Sequence, residues 1–135
     1  WARAIAVDLT NGALIRNNRV FKNFGEGIGV LYTEGVKIYN NVVYDNFSVN
    51  IYLDNAPETT VRGNVVYTKR KRKFYRHGRP AIGIAIANEH TNWPKPSRNI
   101  HVSENRLTGV GDVIYGTWGA NTGLRNSVIG PNHVN

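Results

Sequence analysis

The tetrapeptide Asn41-Val42-Val43-Tyr44 returns 23 residues later as Asn64-Val65-Val66-Tyr67. Counting back another 23 from Asn41 reaches Asn18, followed by Arg19-Val20-Phe21. A fixed spacing of this size means that the chain is assembled from copies of one turn, each of which buries its apolar face only against its neighbours. The register holds on both sides of the asparagine. Five and three residues before it stand Ala13 and Ile15, Val36 and Ile38, Thr59 and Val61, Ile100 and Val102, Ser127 and Ile129. Two residues after it stand Val20, Val43, Val66, Leu107 and Val134, so the column itself reads Asn18, Asn41, Asn64, Asn105, Asn132.

A second apolar stretch precedes each block: Ile5 and Val7, Ile28 and Val30, Ile51 and Leu53, then Ile82 to Ile86 and Val113 to Tyr115. These stretches alternate with period two, as a strand with one buried face must. Two solenoids have repeats near this length. Val36-x-Ile38-x-x-Asn41-x-Val43 matches the core of a leucine-rich repeat, but that fold needs a helical segment in the rest of the unit. Here the rest reads as strand, with Phe47, Val49, Ile51 and Leu53 on one face, and with Asn, Asp and Gly at the turns. The expected fold is therefore all-β: a single-stranded parallel β-helix of about five turns, each of three short strands.

The units VKIYNNVVYDN, TTVRGNVVYT and NIHVSENRLTG, with the strands GIGVLYTEG and VNIYLDN, resemble the right-handed parallel β-helix repeat proteins of the polysaccharide lyase, pectin hydrolase and uronan epimerase kind. That group includes many secreted bacterial members. The resemblance covers nearly the whole chain and implies a right-handed coil, with a secreted or cell-surface location and a carbohydrate partner. It does not select an activity, because one scaffold carries several chemistries as well as pure binding.

With 135 residues, of which 41% are hydrophobic and 14 are glycine, the chain reads as one β-helix domain spanning 1–135. Cysteine is absent, so neither a disulfide framework nor a thiolate metal site forms. No run of about 18 apolar residues occurs, which argues against a membrane partner. Core strands lie close to both ends without a recognisable cap, so flanking turns in a longer protein, or end-to-end self-association, are expected. The asparagine column is expected to be structural: Asn tolerates left-handed backbone angles, and stacked amides can bond one another along the axis.

Function is sought where the period breaks, since loops on a rigid scaffold carry it disproportionately. Asn64 and Asn105 are 41 residues apart, an excess of 18 over the regular 23. The excess forms two insertions, 69–80 and 88–98, that flank one strand of the fourth turn. The first holds seven of the 17 basic residues in 12 positions, a concentration that attracts polyanions. A basic run with Phe74 and Tyr75 is also compatible with nucleic acid, but the rest of the chain lacks a nucleic-acid module, and an acidic polysaccharide is the expected partner.

If Ile82, Ile84 and Ile86 point inward, small residues face outward beside Asn50, Tyr52 and Asp54 of the previous turn. Asn88, Glu89, His90 and Trp93 approach from the second insertion, and Arg76, His77 and Arg79 from the first. The candidate catalytic residues are thus Arg79, His90, Glu89, Asp54 and His77. Tyr52, Asn50, Asn88, Trp93 and Arg76 are candidate substrate-binding residues. Elimination of a uronate needs its carboxylate neutralised, by Arg79 or by a calcium ion on Asp54 and Glu89, and a base such as His90 or His77. Hydrolysis needs two carboxylates, for which Asp54 and Glu89 are available. Lyase chemistry is favoured over hydrolysis. A non-catalytic glycan-binding module and a structural solenoid segment remain as alternatives.

Overall fold

A computed structural model describes residues 1–69, 72–93, 95–116 and 124–135, with Arg72 described by its backbone alone. The first turn of chain contains β1 (Arg3–Asp8), β2 (Asn11–Arg16) and β3 (Arg19–Phe21), and the second β4 (Glu26–Leu31), β5 (Glu34–Tyr39) and β6 (Val42–Tyr44). The third contains β7 (Val49–Asp54), β8 (Thr60–Arg62) and β9 (Val65–Tyr67), and the fourth β10 (Ile82–Ala87), β11 (His101–Ser103) and β12 (Arg106–Thr108). In the fifth, β13 (Ile114–Tyr115), β14 (Val128–Ile129) and β15 (His133–Val134) are two residues each. Every third strand joins the same sheet, so the first sheet runs β1-β4-β7-β10-β13, the second β14-β11-β8-β5-β2 and the third β15-β12-β9-β6-β3. All the pairings are parallel, with Ile5, Ile28, Ile51 and Ile84 in one column and Ile15, Ile38, Val61, Val102 and Ile129 in another. This is a parallel β-helix, and the helical segment that a leucine-rich repeat would require is a strand here.

The core is a thin column of β-branched and leucine side chains. Ile28, Ile51, Ile84, Val30, Leu53 and Ile86 from the first sheet meet Ile38, Val61 and Val102 from the second, all fully buried, and Val43, Val66 and Leu107 from the third. The chain turns between sheets through left-handed residues that recur with the repeat: Leu9, Tyr32 and Asn55 at one corner, and Asn17, Asn40 and Gly63 at the next. The expectation that the ladder asparagines themselves adopt this conformation needs correction, because in the first four turns it is the residue before each, Asn17, Asn40, Gly63 and Glu104, that does. The ladder asparagine follows, and its amide closes the bend. Asn18 Nδ2 donates to Asn41 Oδ1 at 3.0 Å, Asn41 to Asn64 at 3.0 Å, Asn64 to Asn105 at 2.9 Å and Asn105 to Asn132 at 2.9 Å. Each acceptor oxygen also takes the backbone N–H of the asparagine below it.

On the outside of the third sheet, Phe21, Tyr44 and Tyr67 stack with centroids 5.0 and 4.5 Å apart. Both insertions leave from the fourth turn and fold back toward the first. Phe74 of the first insertion packs edge-on against Phe24 and Phe47 of earlier turns, and Arg76 lies 4.7 Å from the ring centre of Trp1. Lys95 of the second reaches Asn11 Oδ1 at 3.3 Å and Glu34 at 3.5 Å. They therefore lie at the two ends of the first sheet's strands, with its outer face between them.

Candidate functional site

The strands of the first sheet do not alternate throughout. Ile51 joins the core, yet its neighbour Asn50 is also fully buried, with its Oδ1 accepting from Asn46 Nδ2 at 2.9 Å and its Nδ2 donating to the carbonyl of Ile82 at 3.3 Å. A Cβ added at Gly27, the preceding-turn equivalent of Asn50, would meet Val43 Cγ1 at 2.8 Å and Asn50 O at 2.5 Å, so this position also faces inward. Two consecutive inward positions reverse the phase of what precedes them. Ile82, expected inside, instead packs with Val49, Tyr52, Ala85 and Ala87 on the outer face. Asn50, expected to face a ligand, is turned inward within its strand. Strict period-two reading fails at this one step.

The outer face is left with Glu26, Val49 and Ile82 in one register column and Gly29, Tyr52 and Ala85 in the next, with Asp54 and Ala87 beyond. Glu26, Ser48, Val49, Tyr52, Ile82 and Glu89 line a cleft of roughly 420 Å³, closed on one side by Trp1 and Arg76. An adjoining cleft of roughly 620 Å³ shares Ser48, Val49, Arg76 and Ile82 and adds Phe47, His77, Arg79 and Pro80. Together they form a groove with a basic rim on the side of the first insertion and a carboxylate floor.

Glu89 is exposed but held. The Tyr52 hydroxyl donates to its Oε1, its backbone N–H donates to Asp54 Oδ1 at 2.8 Å, and its carbonyl accepts from Asn55 Nδ2 at 2.9 Å. Asp54 is 1% exposed, and its Oδ2 has no hydrogen-bond partner among the described residues. Burial pushes the Asp54 carboxyl above the usual carboxylate range, with the charge of Glu89 adding to the effect and the Glu89 N–H and Asn55 amide opposing it. Burial likewise raises Glu26, the charges of Glu89 and Asp54 add to it, and Arg3 pulls it down.

The structure thus brings Tyr52, Glu89, Asp54, Arg76, His77 and Arg79 together at the first sheet and separates others from it. Asn88 is 3% exposed, with its Oδ1 accepting from Ser97 N–H at 2.6 Å and its Nδ2 donating to the Tyr115 hydroxyl at 3.2 Å, so it shapes the second insertion from within. His90 is exposed and does not line these clefts. Trp93 lines a different cleft, at the corner of the first two turns. The aromatic pair considered for base stacking is packed instead: Tyr75 is 3% exposed with its hydroxyl donating to Asp45 Oδ1 at 2.7 Å, and Phe74 meets three other rings. Arg70, Lys71 and Pro94, included in the two expected insertions, lie outside the described residues.

Calcium asks for six to eight oxygens. Asp54 Oδ1 is already committed to Glu89 N–H and Asn55, and Glu89 Oε1 to Tyr52. Among the described residues no cluster of three or more metal-binding side chains occurs. Glu26 is the groove residue that sequence reasoning missed. Its signal was legible, since it is a carboxylate standing 23 residues after Arg3 and 23 before Val49 in one register column.

The family described as right handed beta helix region matches residues 1–132. The chain belongs to the right-handed β-helix family. The match spans the first four turns and the fifth up to its last strand and assigns their hand, but carries no substrate with it. No curated protein matches the chain, and no solved structure does. In this β-helix protein the groove chemistry therefore has to be argued from its own residues.

Proposed function

We propose that this β-helix binds an acidic polysaccharide in the groove across its first sheet. The observation that carries the reading is the side-by-side placement of a cationic rim, Arg76 and Arg79, and a floor of hydroxyl-binding groups, Tyr52, Glu26 and Glu89, in two connected clefts. Guanidinium groups receive sugar carboxylates through paired hydrogen bonds, while carboxylates accept from sugar hydroxyls and an aromatic ring packs on the apolar face of a pyranose. The reading implies a secreted or cell-surface location, because such polymers are extracellular.

Lyase-type elimination needs a base free to accept a proton, and His77 Nε2 already accepts from Arg76 Nε at 3.0 Å. Binding without catalysis is the better-supported reading for that reason. Hydrolysis is a second reading with its own observation: Glu26, raised by burial, is suited to hold a proton as a general acid beside the more exposed Glu89.

Calorimetric titration with oligogalacturonates and with neutral oligosaccharides of equal length tests the proposal. The acidic series is expected to bind, and Arg79→Ala to weaken it by about tenfold or more, the loss of a charge-assisted hydrogen bond. Equal affinity for neutral and acidic glycans would remove the basis of the reading. Unsaturated product absorbing in the ultraviolet would restore the lyase, and new reducing ends without that absorbance would indicate hydrolysis.

A further inference from the structure

The second insertion holds up an indole that the groove does not use. Trp93 is 64% exposed, although the chain around it is fastened. Its backbone N–H donates to Thr91 Oγ1 at 3.2 Å, and two residues later Lys95 is tied to Asn11 and Glu34 of the first two turns. Beneath it the corner column carries Leu9 and Tyr32 with left-handed angles of 52° and 53°, where the third turn uses Asn55. Asparagine suits that conformation and bulky residues do not. These two therefore stand where the bend alone would favour another residue, and their side chains form walls.

Leu9, Thr10, Asn11, Tyr32, Trp93 and Lys95 line an open cleft of roughly 520 Å³. That is the size of a small-ligand pocket. Its chemistry combines two aromatic rings, an aliphatic wall, a hydroxyl, an amide and an ammonium group. The Lys95–Glu34 pair is surface-exposed on both sides, and such pairs are weak enough to exchange for a ligand anion.

We infer that this cleft is a second sugar subsite, which takes one acidic pyranose unit with its apolar face on Trp93 and its carboxylate toward Lys95. The inference rests on the proposed function to the extent that one polymer serves both places. β4 runs from Glu26 in the groove to Leu31, next to Tyr32, and at about 3.3 Å per residue its five steps cover roughly 17 Å. An oligosaccharide of several units spans that distance along the outer face.

The test is titration of the intact chain with oligogalacturonates of increasing length. In the wild type, affinity is expected to step up by about fivefold once the oligomer reaches the corner, the worth of one aromatic contact. Trp93→Ala is expected to abolish the step while leaving the shortest binding oligomers unaffected, and Trp93→Phe to restore most of it. Unchanged affinities at every length in Trp93→Ala would overturn the inference. If no oligomer binds the wild type, the groove reading has failed by itself. The subsite is then decided by the indole NMR signal of Trp93 on titration with galacturonic acid: a saturable shift upholds it and no shift overturns it.

Discussion

Two regions of this β-helix bury polar side chains, and they treat them differently. At the bend between the second and third sheets, Asn41, Asn64 and Asn105 are fully buried, and each amide is paired with a neighbouring amide and with backbone. On the first sheet, Asp54 is buried with one oxygen unpartnered, and Glu26 sits 7% exposed with a raised affinity for its proton. Burying a polar group without a partner is costly. Among the buried side-chain polar atoms of the described residues only Asp54 Oδ2 and, beside the second sheet, the Thr59 hydroxyl lack a partner, and buried carboxylates with raised proton affinity on the first sheet separate the part of the molecule that meets a ligand from the part that holds the coil.

The largest effect expected from testing this contrast is at the ladder. Asn64→Ala removes the acceptor for both the backbone and side-chain N–H groups of Asn41, and with one to three kcal/mol for each buried group left unsatisfied the loss should be about 3 kcal/mol. Chemical denaturation measures it, and a loss below about 1 kcal/mol would erase the contrast. Gly27→Ala comes next. Its Cβ would come within 2.5 Å of a backbone oxygen, an overpacking expected to cost roughly 1–3 kcal/mol without touching the groove chemistry.

The carboxylate face should reveal itself through pH. A carboxyl whose folded value is raised binds its proton more tightly in the native state, so its contribution is complete below the ordinary carboxylate range and is lost as pH rises through the raised value. The melting temperature should therefore fall with rising pH in this window, and Glu26→Gln combined with Asp54→Asn should flatten the slope. An identical slope in the double variant would detach these residues from the effect. The smallest change expected is Leu9→Asn. Placing the residue type of the third turn at an exposed left-handed position should raise stability by less than about 1 kcal/mol, while removing one wall of the corner cleft.

The coil was legible because its causes are local and repeated. Asn18, Asn41 and Asn64 recur at the interval of one turn, and Ile28, Ile51 and Ile84 mark the buried face of the strand that precedes them, so spacing alone reports the fold. The groove was only partly legible. Tyr52 and Asp54 were placed together because strand register fixes them, with Glu89 two residues beyond the paired strand, but Asn50 and Ile82 were assigned to the wrong faces since a single break in alternation leaves no mark in residue type. Trp93 was misplaced for another reason: an insertion is free to fold back over earlier turns, and the direction it takes depends on partners such as Asn11 and Glu34 that are more than 60 residues away in sequence.

That folding back changes how the stack should come apart. A solenoid whose turns touch only their neighbours can fray from either end, one unit at a time. Here Phe74 and Arg76 of the first insertion rest on Phe24, Phe47 and Trp1 of earlier turns. Losing an outer turn would then strip this ring packing, so amide protons of the first four turns should exchange with solvent as one cooperative block rather than in graded order.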